Sequence, residues 1–191
     1  VTHRAWVLSD LQQSVPAEAR RCLTTAMDDF RSLAVPVEQI WYLGDAVEGT
    51  RLDHLEEMAA MQVEALSSLG APLRYVLGNH DFDHLTHDRG KSGRTAIFRD
   101  AVLKTPTWRT TDSIESFYYL DRIGDLTLCF LSDHADPPEL LEWLRTFKNK
   151  PNVTYLVHGE PAASSQLRDL MTKELGWNVQ AAQWLQKANI S

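Results

Sequence analysis

The sequence has only two cysteines and lacks a long apolar run. Cys22 and Cys129 do not form a C-x-x-C pair, and each lies in an apolar stretch, so we expect two reduced, packed thiols rather than a disulfide framework. No stretch approaches the length of a membrane span, and the apolar run in VTHRAWVLSD is too short for a signal peptide. We therefore expect a cytoplasmic protein with no membrane partner.

Positive charge is also scarce. The chain has 19 Lys and Arg against 26 Asp and Glu, which gives a formal net charge of −7 and a pI near 5.4. Such a balance gives no electrostatic support for sequence-independent binding to a phosphate backbone. It favours a small phosphorylated molecule over long nucleic acid as the partner, although bound cations could still bring phosphate to an acidic protein. The oligomeric state stays open.

Length and apolar periodicity predict one α/β domain over residues 1–191. Short apolar runs at 4–9, 39–43 and 73–77 are typical of buried strands, and the segments between them (16–33 and 52–69) have helical spacing. This β-α-β-α-β order predicts a parallel sheet covered by helices.

The second half of the chain is predicted to contain a different set of elements. After a polar excursion at 82–115, with a helical piece near 95–103, we expect a hairpin, two helices and two short strands. The predicted ranges are 117–120 and 126–131 for the hairpin, 138–147 for a helix, 153–157 for a strand, a helix from about 164, and a final strand after 175–179.

Polar residues follow each strand of the predicted parallel sheet. Asp10, Asp45 and Asn79 all lie directly after an apolar run. Ligands of parallel sheets gather at the carboxyl ends of the strands, so we expect these three residues to converge on one site.

Four short motifs, in order, carry a family resemblance. They are SDLQ (9–12), GDAVEG (44–49), GNHD (78–81) and VHGE (157–160). The set resembles the calcineurin-like metallophosphoesterase family, whose pattern is D-x-H, G-D-x-x-D-G, G-N-H-D, a lone H, and G-H-x-H. This resemblance implies a calcineurin-like metallophosphoesterase fold, an α/β/β/α sandwich of two facing β-sheets flanked by helices. It also implies hydrolysis of a phosphomonoester or phosphodiester by a metal-activated water.

The resemblance also implies a site. Two divalent cations, Mn, Fe or Zn, would share the Asp45 carboxylate. His80, oriented by Asp81, would protonate the leaving group or stabilise the charge of the phosphoryl group. The remaining metal ligands implied by the family pattern are Asp10, Gln12, Asn79, His134 and His158.

The last two motifs allow two alignments. In one, His158 is the lone histidine and the closing G-H-x-H is missing; the order of the EWL helix and the following strand favours this alignment. In the other, His134 is the lone histidine, and His158 and Glu160 form a degenerate G-H-x-H. Because Gln12 replaces the usual histidine, a non-catalytic binding or scaffold member of the fold and a hydrolase with one metal are the alternatives.

The tail LVHGEPAASSQLRDL is similar to a second family. Metallo-β-lactamase-type RNA-processing proteins have a V-H-G-E followed by a helix near their carboxyl end. The front half of this chain lacks their H-x-H-x-D-H motif. We therefore interpret the tail similarity as a local coincidence.

Overall fold

The computed structural model of the protein describes residues 3–11, 13, 15–46, 54–81, 100–110, 118–124, 126–131, 137–156 and 161–182. Tertiary contacts divide the chain into two compact units, Val1–His134 and Ala135–Ser191. The mixed α/β class is confirmed, while a single domain over 1–191 stays a prediction. No helix in these ranges is long and apolar enough to cross a membrane.

The first unit is built on a three-stranded parallel sheet. Its strands are β1 (Ala5–Leu8), β2 (Gln39–Tyr42) and β3 (Leu73–Tyr75), in the order β1-β2-β3. Ala5 pairs with Gln39, and Ile40 pairs with Leu73. The β-α-β-α-β prediction is therefore confirmed, and all three strands end at the same edge of the sheet.

Two helices cover one face of this sheet. Helix α1 (Pro16–Ser32) begins at a proline, whose missing N–H costs nothing in the first turn. Helix α2 (Leu55–Ser67) ends just before Gly70, which adopts a positive φ of 72°. Their apolar stripes pack on the alternate strand residues that point towards them and form the buried core: Ala19, Leu23, Met27, Ile40, Tyr42, Leu55, Met58, Ala59, Leu66, Leu73 and Tyr75.

A hairpin contacts the opposite face. Strands β4 (Tyr118–Ile123) and β5 (Leu126–Leu131) pair antiparallel, as predicted. The Trp41 ring meets Phe130 edge to face with ring centroids 5.7 Å apart, and the Gln39 amide donates to the Arg122 carbonyl at 2.9 Å. The first sheet is thus covered by helices on one face and by a hairpin on the other. The predicted α/β/β/α sandwich of two facing sheets stays a prediction.

Two helices and a parallel pair of strands lie in the described residues of the second unit, 137–156 and 161–182. These are α3 (Pro137–Leu144), β6 (Thr154–Leu156), α4 (Pro161–Leu175) and β7 (Val179–Ala181). Thr154 pairs with Val179, and Leu156 pairs with Ala181. The predicted element order is confirmed here, with α4 beginning at Pro161 rather than near 164.

Candidate active site at the carboxyl edge of the first sheet

The described residues of three motifs come together where β1, β2 and β3 end. The Leu43 amide donates to the Leu8 carbonyl at 2.9 Å, and the Asp10 amide donates to the Gly44 carbonyl at 3.2 Å. On the other side, the Val76 amide donates to the Tyr42 carbonyl at 3.0 Å. The segments that contain Asp10, Asp45 and the turn Asn79–Asp81 are therefore neighbours, as expected from the parallel sheet.

Asp10 and Asp45 both have a left-handed backbone. Their φ values are 58° and 56°, a region that residues with a Cβ adopt infrequently and that Asp and Asn tolerate best. Each strand therefore turns sharply at the residue whose carboxylate was predicted to bind metal. Backbone strain of this kind clusters at functional sites.

Two glycines allow the loops after β2 and β3 to touch. A Cβ on Gly44 would lie 2.7 Å from the Gly78 Cα, and a Cβ on Gly78 would lie 2.3 Å from the Asp45 Oδ1. Both distances are too short for any side chain. The glycines of GDAVEG and GNHD are therefore explained by this close contact of two backbones.

The Asp81 carboxylate joins these two loops. It is 2% exposed and accepts the amide N–H groups of Asp45 at 3.0 Å, Ala46 at 2.9 Å and Gly78 at 2.8 Å. It also accepts the Tyr75 hydroxyl at 2.5 Å. Asp81 thus fixes the position of the turn that carries Asp45, and its predicted role in orienting His80 stays a prediction.

Asp45 in turn holds the backbone of His80. The Asp45 Oδ1 accepts the His80 amide at 2.8 Å, while Asp45 itself is 3% exposed. His80 is half-buried in the short turn that begins at Asn79. The Asp10 Oδ2 accepts the neighbouring Ser9 hydroxyl at 2.5 Å. The predicted catalytic residue His80 and the two predicted metal ligands Asp10 and Asp45 thus share one small region.

A buried polar network under the site was not anticipated. The Tyr42 hydroxyl donates to the Gln62 Oε1 at 2.8 Å, and the Gln62 amide donates to the Ala46 carbonyl at 2.6 Å. Gln62 is the buried polar residue within the apolar face of α2, between Met58 and Leu66. A polar residue within an apolar helical face is the sequence feature from which this buried network could have been predicted.

Burial raises the pKa values of the Tyr42 and Tyr75 hydroxyls well above the usual tyrosine range. For Tyr42, the negative charges of Asp81, Asp10 and Asp45 raise the pKa further. Both tyrosines therefore remain neutral hydrogen-bond donors at any pH at which the protein is handled.

We expect Gln62→Leu to lower the free energy of unfolding by about 2–4 kcal/mol, because it leaves the buried Tyr42 hydroxyl and Ala46 carbonyl without these partners. Urea denaturation measures the change. Glu64→Ala is the control, since Glu64 lies on the exposed face of the same helix and should shift stability by under about 0.5 kcal/mol. Equal effects of the two substitutions would contradict the network's role.

The donor chemistry of this edge fits part of a metal site. Asp10 and Asp45 supply carboxylate oxygens, which are good ligands for divalent cations. Within the described ranges, no group of three or more His, Cys, Asp or Glu residues is arranged to hold a metal ion. Four residues lie outside those ranges: the predicted ligands Gln12, His134 and His158, and the alternative ligand Glu160.

Comparison with known proteins gives one match. Residues 127–182 match the family model of RMMBL, described as a Zn-dependent metallo-hydrolase RNA specificity domain. No curated protein matches the chain. The matched region is under a third of the chain, so it describes a similarity of that region. It supports a metal-dependent hydrolase with zinc as the metal, and for this region it points to the metallo-β-lactamase family rather than the calcineurin-like one.

Two expectations are corrected by this match. The matched region includes VHGE and α4, so the interpretation of the tail as a coincidence was wrong. The preference for a small phosphorylated partner over long nucleic acid was also wrong, since the matched domain is one of RNA specificity. The net charge led to the wrong partner prediction because it is a sum over the whole chain. Residues 135–191 contain six acidic and six basic residues, so the whole excess of negative charge lies in residues 1–134.

Proposed function

We propose that the protein is a metal-dependent hydrolase that cleaves phosphodiester bonds in RNA. The observation that carries the proposal is the convergence of Asp10, Asp45 and the turn Asn79–Asp81 at the carboxyl edge of a parallel sheet. The similarity of residues 127–182 to an RNA specificity domain supports RNA as the substrate. A phosphodiester is the bond in RNA that metal-assisted hydrolysis of this kind would break.

In this proposal, Asp10 and Asp45 hold divalent cations, with zinc favoured. The further residues that would hold them are Gln12, Asn79, His134 and His158. Bound cations would supply an activated water as nucleophile and would offset the negative charge of the phosphoryl group.

His80 is the proposed general acid. It would donate a proton to the leaving oxygen of the ribose, so its position relative to the carboxylates matters. The Asp45 Oδ1 fixes the His80 backbone at 2.8 Å, and the buried Asp81 fixes the backbone of Asp45 at 3.0 Å. Substrate binding would therefore meet a site that is already arranged, which lowers the entropy cost of reaching the reactive geometry.

For residues 1–134 we further propose the calcineurin-like fold. The motifs GDAVEG and GNHD support it, as does a parallel sheet with helices on one face and the β4–β5 hairpin on the other. Residues 135–191 would then contribute RNA recognition to this hydrolase.

The test is cleavage of an end-labelled single-stranded RNA by protein that was stripped with a chelator and reloaded with Zn²⁺ or Mn²⁺. We expect discrete products with metal, and loss of cleavage when EDTA is added before the RNA. His80→Ala is the paired variant; loss of the general acid should reduce cleavage by about 10²–10⁴-fold. Intact RNA after incubation with metal-loaded protein would contradict the proposed hydrolysis.

A second candidate is an RNA-binding module without hydrolytic activity. It is favoured by the description of the matched domain, which concerns specificity, and by Gln12 at the position where the calcineurin-like pattern has a histidine. The same assay separates the two functions: RNA that is bound but uncleaved at every metal concentration supports the module.

A further inference from the structure

A continuous exposed segment with positive charge follows helix α3. All six residues from Arg145 to Lys150 are exposed, and three of them are basic. Between Glu142 and Glu160 the chain has no acidic residue, so this stretch carries a charge of +3 in a protein whose net charge is −7. It is therefore a local exception to the acidic balance of the chain.

An aromatic ring lies in the middle of this segment. Phe147 is 37% exposed, although its ring packs edge to face on Trp143 at 4.9 Å and on Trp177 at 5.8 Å between centroids. Trp177 is itself buried. Two aromatic contacts limit the rotation of the Phe147 ring, so its exposed part has a fixed position. A fixed aromatic surface loses little conformational entropy when a ligand stacks on it.

The lysines of the segment keep their charge available. Lys148 is exposed, and Lys150 donates its ammonium to the Gly176 carbonyl, a neutral acceptor. Arg145 differs, because it pairs with Glu174 at 3.3 Å. The unneutralised positive charge next to Phe147 thus comes from Lys148 and Lys150.

We propose that residues 145–150 form a contact surface for single-stranded RNA, with a base stacked on Phe147 and phosphates bound by Lys148 and Lys150. The inference rests on the proposed function, whose substrate-binding part it locates. An aromatic platform beside cations is how proteins bind unpaired strands. A base within a duplex is stacked on its neighbours and cannot reach such a ring, so we infer an unpaired strand.

The test measures binding of a fluorescein-labelled RNA of about 12 nucleotides by anisotropy, at several salt concentrations and without added metal. We expect Phe147→Leu to weaken binding by about 5- to 100-fold, since leucine keeps apolar packing but offers no stacking surface. Phe147→Tyr should bind within about twofold of the native protein, because the ring is retained. Near-ultraviolet circular dichroism of the variants checks that the aromatic cluster is intact.

The charge contribution has its own variant and control. We expect Lys148→Gln to reduce the slope of log affinity against log salt by about 0.7, the value for one phosphate contact on a single strand. Lys104→Gln removes the same charge from an exposed position in the first unit and should leave the slope unchanged.

The outcomes separate this surface from the proposed function. Loss of binding in Phe147→Leu with recovery in Phe147→Tyr supports the surface, even if RNA is never cleaved. Native-like binding and salt slope in both Phe147→Leu and Lys148→Gln would overturn it while leaving RNA hydrolysis intact. A native protein that does not bind single-stranded RNA would overturn both.

Discussion

Replacement of Asp81 by asparagine is expected to lower the free energy of unfolding by about 3–5 kcal/mol, because hydrogen bonds to a charged group contribute about 1.5–3 kcal/mol each. The carboxylate accepts three amide N–H groups and the Tyr75 hydroxyl in a buried position. An asparagine has a single acceptor oxygen, and its NH₂ group would face at least one of these donors. The substitution therefore weakens the hydrogen bonding between the loops after β2 and β3.

Urea denaturation of the two proteins at the same pH measures this effect. Asp28→Asn is the matched control, because Asp28 is exposed on α1 and pairs only loosely with Arg31 at 3.4 Å. The control should change stability by under about 0.5 kcal/mol. An Asp81→Asn protein as stable as the control would show that this carboxylate does not hold the site together.

The second large effect is expected on activity rather than on stability. Asp45→Asn should lower the rate of RNA cleavage by about 10³-fold, because a cation held by Asp45 contributes several kcal/mol to the transition state. The fold should survive, since the asparagine oxygen can still accept the His80 amide and asparagine tolerates the φ of 56°. The substitution therefore removes the negative charge and keeps the acceptor for the His80 amide.

Single-turnover cleavage of labelled RNA and a thermal melt of each protein check this prediction together. Glu64→Gln removes an exposed carboxylate from α2 and should cleave at the native rate. If Asp45→Asn keeps the native rate, Asp45 does not hold the catalytic metal. If the Asp45→Asn protein is unfolded, the charge of the Asp45 carboxylate is needed for stability, because asparagine keeps the size and shape of the side chain.

Local patterns were enough to predict the sheet and the convergence of its strand ends. Apolar runs of strand length, separated by helical spacing, specify a parallel order, and that order places Asp10, Asp45 and the 78–81 turn at one edge. Each of these predictions uses either a pattern within a few residues or the general rule for how parallel strands are connected. The motifs therefore located the candidate site without any tertiary information.

The hydrogen bonds of the buried Asp81 carboxylate were harder to predict from the sequence. The family resemblance implied that Asp81 orients His80, and that role stays a prediction. The bonds that the structure gives Asp81 reach Asp45 and Ala46, which are 36 and 35 residues away in the chain. The Gln62 amide reaches Ala46 across 16 residues in the same way. Such bonds depend on how the loops pack, and no periodicity encodes them.

The substrate prediction failed for a different reason. A net charge of −7 describes the whole chain, whereas binding depends on the charge of a surface. Counting charge by segment would have distinguished the acidic first unit from residues 143–159, which carry three basic residues and no acidic ones. The tail motif VHGE contained the correct signal, and the missing front motif led us to discount it.

Metal binding by the converging carboxylates is the central requirement for the proposed hydrolysis. Equilibrium dialysis against Zn²⁺ followed by elemental analysis measures this binding directly. We predict that the native protein retains zinc and that folded Asp45→Asn retains at least one equivalent less. A native protein that comes out of dialysis free of zinc would contradict the account, and so would an Asp45→Asn protein with the native zinc content.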